Sequence, residues 1–282
     1  MTGKARSRQT RDAERIVRPV SGWPTLGLGR IWRFRELLLF LAWRDIKVRY
    51  KQTVLGVLWA LIQPVTKMVV FTVVFGRIAG IDSGGAPYAV FLFAGLLPWE
   101  FFAEAVSRSG NSLVAAADLM KEVPFPRGVL PLAAVAGVLA DFAVSMVILA
   151  GLMLAYGITP HVELLLLLPL TLALVLIAAG VGIVVGALNA IYRDLRYALP
   201  FLLQVWLFLT PIVYPASAVP EGLRWLVRIN PMSGIIDGYR AAILGAPVDG
   251  VGFLVSLAVG LAIFLLAWGL LARTELYLSD VV

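Results

Sequence analysis

Apolar and polar positions follow one another in long blocks along this chain of 282 residues. Six blocks are almost purely apolar: residues 54–76, 88–106, 130–156, 164–190, 198–214 and 251–271. Each is close to the ~20 residues that a helix needs to cross the hydrocarbon core of a bilayer. Leu, Val and Ala dominate them, without the ~10-residue alternating segments of a membrane β-barrel. The pattern predicts an all-α, polytopic membrane protein with six transmembrane helices.

Three mixed blocks interrupt this plan. Residues 30–51, RIWRFRELLLFLAWRDIKVRYK, hold an apolar run (37–43) too short to span. Arg33, Glu36, Arg44, Lys47 and Lys51 fall on one side at helical spacing, Arg49 adds a further cation, and Trp32 and Trp43 suit headgroup depth. This predicts an N-terminal amphipathic helix lying in the membrane interface. The preceding residues 1–29 read as a mobile cytoplasmic tail, and 30–282 as one transmembrane domain. In residues 118–127 a short helix is expected, with Asp118 as its N-cap and Pro124 and Pro126 ending it. Between 210 and 247, two helical patches (220–229 and 233–244) are split by Asn230-Pro231. They are too short to span and too apolar for a solvated loop, so residues 216–246 are expected to form outer, re-entrant or interfacial helices.

Composition agrees with the membrane reading: 60% of the residues are hydrophobic and 15% charged, against roughly 25% charged in soluble domains. The net charge of +7 is concentrated, because residues 1–51 hold 13 of the 24 Lys and Arg but 4 of the 17 acids. By the positive-inside tendency this block is cytoplasmic, and six spans return the C-terminus to the same side. Cations beside the first span have anionic inner-leaflet lipid as their nearest partner, so no nucleic-acid partner is expected. With no cysteine, disulfides, thiolate metal sites and cysteine catalysis are excluded. The RSRQTRDAER run is not followed by the apolar core and cleavage site of a signal peptide.

Catalytic chemistry is hard to find. No G-x-x-x-x-G-K-[ST] phosphate loop occurs, so no cofactor is expected on this chain. His161 has no companions for a metal site or triad. Helically spaced polar and aromatic stripes do stand out within the apolar blocks. They are Trp59 (or Ala60), Gln63 and Lys67 in the first; Glu100 and Glu104 in the second, continued just past its end by Ser107 and Asn111; and Tyr197, just before the fifth, with Phe201, Gln204 and Phe208 in it. Glu104 stands four residues before Arg108, the spacing of an intrahelical ion pair. Ionisable groups at membrane depth normally face a bundle interior or a wet cavity. Rings mixed with amides suit a sugar chain, whose CH faces stack and whose hydroxyls need hydrogen bonds. The alternative is that the aromatics form interfacial belts and the polar groups join helices.

Four segments carry a resemblance: RDIKVRYKQTVLGVLWALIQP (44–64), FAGLLPWEFF (93–102), VPFPRGVLPLAAV (123–135) and TPIVYPASAVPEGLRWLVRINPMSGIIDGYRAAILG (210–245). Together they resemble the membrane subunit of ABC-2-type polysaccharide exporters, the O-antigen and teichoic-acid permeases, from about residue 44 to 282. The resemblance implies a six-span half-transporter that forms a homodimer and works with two copies of a separate ATP-binding subunit, which would hold ATP and Mg. It implies a lipid-linked polysaccharide carried across the inner membrane. It also implies a coupling helix at 118–127, where Leu119, Met120, Lys121, Glu122 and Arg127 would receive the ATPase's motion, and gate helices at 220–244. Lys67, Glu100 and Glu104 depart from the mostly neutral residues expected there. A permease for drugs or small lipids is the alternative within the class. A membrane glycosyltransferase would need an acidic motif that Asp118, Glu122 and Asp194 do not form.

Overall fold

A computed structural model describes residues 28–51, 58–192, 194–246 and 249–274. Among these the regular structure is helical throughout, with no strand. A short α1 (Leu28–Arg33) leads into α2 (Arg35–Lys51). The next helix, α3 (Leu58–Phe71), runs on through a π-helical stretch, Thr72–Ile78. After it come α4 (Tyr88–Ala115), the short α5 (Ala117–Glu122), α6 (Val129–Ala155) and α7 (Leu167–Ile191). The chain continues with α8 (Leu195–Leu209), α9 (Arg224–Ile229), α10 (Pro231–Leu244) and α11 (Gly250–Thr274).

Five stretches among the described residues are long and apolar enough to cross a membrane: Leu61–Ile78, Tyr88–Ala115, Val129–Ala155, Val162–Ile191 and Gly250–Leu271. The fifth apolar block behaves differently. Its helix α8 has 15 residues and stops at Leu209, whereas the sequence pattern extends to 214. At 1.5 Å per residue it is about 22 Å long, short of a ~30 Å core. The cause is Pro211, which pushes Thr210 out of helical geometry to φ −100°, ψ 135°.

The core is centred on α4, enclosed by α6, α7 and α10. Small residues let backbones meet there, as in membrane helix pairs generally. A Cβ on Gly182 would lie 2.4 Å from the Ser109 hydroxyl, and one on Gly180 would lie 2.8 Å from the Phe264 backbone. Helix α2 lies along α6, with Leu41 and Ala42 buried. Its cations Arg33, Arg44, Lys47 and Lys51 are exposed and Arg49 is half-buried. Trp32, Leu39, Phe40, Trp43 and Val48 are exposed too, so apolar groups are not confined to one face.

Two local expectations fare differently. Asp118 does not cap α5: Ala116 holds that position, without a side-chain bond, and Asp118 sits in the first turn. The helix does end at the expected proline, since Val123, before Pro124, is extended (φ −125°, ψ 123°). The break at Asn230-Pro231 is present. Asn230 caps α10 by accepting from the Met232 amide, and Pro231 takes the first helical turn, where its missing N–H costs nothing. Gly245, at φ 70°, ends the same helix in the left-handed conformation.

Candidate functional site

Helical spacing on α4 turns Glu100, Glu104 and Arg108 toward a cavity of about 420 Å³ between α2, α3, α4 and α6. Helix α3 contributes Trp59 and Gln63, α2 contributes Arg49 and Tyr50, and α6 contributes Asp141. Glu100 accepts from Lys67 Nζ at 2.6 Å across the α3–α4 gap, and Glu104 pairs with Arg108 at 2.5 Å along α4. Arg49 forms an ion pair with Asp141, whose other oxygen accepts a hydrogen bond from the Tyr50 hydroxyl. Three carboxylates and two cations thus line this space, and Lys67, outside the lining, answers the third carboxylate. Burial first, and the nearby Arg108 second, lower the pKa of the Arg49 guanidinium from its usual value, with Glu104 and Asp45 opposing them.

A second cavity, of about 800 Å³, opens between α2, α4, α5 and α6 and shares Arg49, Glu104 and Arg108 with the first. Asn111 lines it, but is also engaged structurally: it donates to the Ser107 carbonyl (2.8 Å) and accepts from Asn189 of α7 (3.1 Å). The first two polar stripes, Lys67 apart, therefore line two neighbouring cavities that share a wall.

The third stripe lies elsewhere. Tyr197, Phe201, Gln204 and Phe208 are all exposed on α8, and none lines either cavity. Their spacing puts them on one face, outside the bundle, while Leu199 and Leu203 face inward. Helix α4 packs against both α3 and α8.

At the other end of α4, Leu119 and Met120 are half-buried against the core while Lys121 and Glu122 are exposed. Met120 and Arg127 share a groove of about 460 Å³ with Phe34, at the α1–α2 break. The first mixed block of the sequence thus lies beside the 118–127 segment.

Two groups that the sequence pattern did not single out hold key positions. Asp141 is a carboxylate inside the 27-residue apolar helix α6, a signal in itself because such groups are costly at membrane depth. Arg240, inside the expected helical patch 233–244 but given no role by its spacing, is 6% exposed in α10. Its guanidinium donates to the carbonyls of Phe91 (3.3 Å), Pro211 (2.8 Å) and Ile212 (2.5 Å) and stacks 3.7 Å from the Phe91 ring. Gly95 makes room for it, since a Cβ there would lie 3.0 Å from Nη2. Arg240 joins α4, α10 and the broken end of α8.

Residues 36–244 match the family model described as ABC-2 type transporter. The chain is 31% identical over 206 residues to the O-antigen export system permease protein RfbA of Klebsiella pneumoniae, covering 73% of this chain and 79% of that protein. It is 32% identical over 213 residues to the protein of the same name from Myxococcus xanthus, covering 75% and 81%. To the polysialic acid transport protein KpsM of Escherichia coli it is 26% identical over 233 residues, covering 78% and 89%.

Proposed function

Because the chain belongs to the ABC-2 type transporter family, we propose that it is the membrane subunit of an exporter that carries a lipid-linked, O-antigen-like polysaccharide across the bacterial inner membrane. One observation carries the choice of cargo alongside the relatives' names: the two neighbouring cavities bring the Trp59 and Phe101 rings together with Gln63, Asn111 and charged groups of both signs. Rings offer stacking surfaces to sugar faces, and the amide and charged groups can exchange hydrogen bonds with hydroxyls.

In this reading α8 and the extended residues 210–214 make the sixth crossing. Non-helical backbone is tolerated there because α4 and α10 cover it and Arg240 satisfies its carbonyls. Helices α9 and α10 are the outer gate helices within 216–246. Both termini are cytoplasmic, and the cytoplasmic tail expected over residues 1–29 lies outside the described residues up to 27, its last two residues belonging to α1. A second copy of the chain faces the exposed sides of α3 and α8, so that Tyr197, Phe201, Gln204 and Phe208 join Trp59, Gln63 and Lys67 along a shared path. ATP and Mg belong to a separate subunit, two copies per dimer. That subunit docks at the groove between Phe34 and Met120–Arg127, and Leu119, Met120, Lys121, Glu122 and Arg127 take up its motion. The interface helix is seated against inner-leaflet lipid by Arg33, Arg44, Lys47 and Lys51, while Arg49, expected among them, turns inward to Asp141.

Export is tested in vesicles holding the chain and its ATPase, with lipid-linked glycan measured in the lumen as ATP is consumed. A deletion strain should retain the same glycan on the cytoplasmic side. Normal surface glycan in that strain, with a small lipid retained instead, would replace the cargo and leave the family standing.

A further inference from the structure

At the far end of the molecule from α5, a small pocket of about 150 Å³ lies between α9, α10 and the start of α11. One water needs on the order of 10–15 Å³ by this measure, and a drug-sized ligand roughly 300 Å³ or more, so the space suits a single compact polar ring. We infer that this pocket binds one pyranose unit of the exported glycan at the outer mouth. The inference rests on the exporter reading above for the source of the sugar and for the orientation.

The floor is built. Ser233 is 4% exposed, lines the pocket, and its hydroxyl has no hydrogen-bond partner among the described residues. A buried hydroxyl left unpaired is costly, and a ligand oxygen would satisfy it. Ser256, 2% exposed, accepts from the Gly234 amide at 3.1 Å. A Cβ on Gly234 would lie 2.4 Å from the Gly252 carbonyl oxygen, so α10 and α11 touch backbone to backbone and hold the floor in place. Half-buried Asp237 and exposed Arg224, Arg228 and Asp249 supply the charged part of the lining, beside Ala216 and Val227.

The charges select the ligand class. Two carboxylates and two guanidiniums cancel, so neither a metal ion nor a phosphate gains net attraction. Arg224 is engaged by the Val219 carbonyl and Glu221, and Asp249 uses one oxygen to cap α11. Arg228 forms no ion pair among the described residues. Donors at Arg228 and Ser233 face acceptors at Asp237 and Asp249. Neighbouring sugar hydroxyls donate and accept at once, and so can meet both sets without bringing charge.

The test uses the full chain with its ATPase in lipid nanodiscs and methyl pyranosides (glucoside, mannoside, galactoside and N-acetylglucosaminide) as probes, read by saturation-transfer NMR. At least one pyranoside should show transfer. Ser233→Ala should weaken binding about five-fold, and Arg228→Gln and Asp237→Asn on the order of tenfold or more, as hydrogen bonds to charged groups are the stronger ones. Asp237 also faces Arg240 at 3.6 Å; if its variant fails to fold, the other two decide the question. No transfer to the wild type from any probe, in a preparation that exports glycan, would overturn the site and leave the exporter reading intact. Equal signals from wild type and all variants would place sugar binding elsewhere and also overturn it. Binding that the variants abolish, in a protein that exports no glycan, would keep the site and remove the exporter reading.

Discussion

Helices α3 and α4 look alike in sequence and differ greatly in their surroundings. Both are apolar, both carry polar groups at helical spacing, and each contains an internal proline, Pro64 in α3 and Pro98 in α4. Yet 83% of an 18-residue stretch of α4 is buried, against 6% for the stretch beginning at Leu61 in α3. Composition measures what a helix tolerates, whether lipid, protein or a partner chain. Contacts decide which of these it receives. In this molecule α4 is the post around which the bundle is built, and α3 leans on it across a polar cavity, with Lys67–Glu100 as its ion pair. The groups that hold α4 should therefore govern stability. Those on α3 and α8 should govern transport.

The strongest test of the α4 side is Arg240. Replacing it with Ala strips three backbone carbonyls of their donor and leaves Gly95 facing a void. Removing one partner from a buried charged network costs about 3–5 kcal/mol. Arg240→Ala should therefore unfold at markedly lower temperature or fail to accumulate, and Arg240→Lys should recover only part of the loss, because a point charge cannot reach all three acceptors. A thermal unfolding scan in detergent decides it. Wild-type stability in Arg240→Ala would mean that the broken end of α8 is not held from α10.

Asp141 comes next. Asp141→Ala removes the acceptor shared by Arg49 and Tyr50, and hydrogen bonds to charged groups contribute roughly 1.5–3 kcal/mol each. Hydrogen exchange should quicken in α2 and remain slow in the centre of α4. Uniform loosening of both helices would erase the distinction between a post and the elements leaning on it.

What the sequence made legible follows the same division between local and distant causes. The long apolar runs locate their helices because length and composition are local, although α4 continues nine residues beyond its apolar run, to Ala115. So is the Asn230-Pro231 break, since capping is settled by one amide and one missing N–H. The Glu104–Arg108 pair is visible as a spacing of four. Pairs that need the packing register, Lys67 with Glu100 and Arg49 with Asp141, have no local signature, and nothing local marks Arg240 within its helical patch until α4 is placed beside it. Thr210-Pro211 was a local signal that α8 would stop early, overridden by the apolar run beyond it. The α8 stripe has the same periodicity as the α4 stripe, and periodicity alone cannot tell a face turned into the bundle from one turned out of it.

Lys67–Glu100 tests the leaning side at a smaller scale. The two side chains are 48% and 34% exposed, and exposed ion pairs contribute at most about 1 kcal/mol. Lys67→Met with Glu100→Gln should therefore shift unfolding little, while export per ATP changes because Glu100 borders the cavity and Lys67 holds it. A loss above about 2 kcal/mol, well beyond that range, would show α3 to be locked as firmly as α4.

The smallest expected change in stability belongs to α8, where it accompanies a change in function. Phe201 and Phe208 are 67% and 50% exposed, and exposed substitutions away from caps and networks usually stay within ~0.5 kcal/mol. Phe201→Ala and Phe208→Ala should unfold like the wild type. If the stripe lines a path shared with a second copy, the same proteins should export less glycan per ATP, because the sugar faces lose their stacking surface. Lipid-facing aromatics would be replaced with little effect on either property. The chain has no cysteine, so Phe201→Cys and Phe208→Cys add one thiol each without background. On a wet path both thiols react with a membrane-impermeant reagent, and faster during turnover than at rest. Thiols that stay silent with and without ATP, beside normal export by the Ala variants, would give α8 to the lipid and leave the cavity between α2, α3, α4 and α6 as the polar passage.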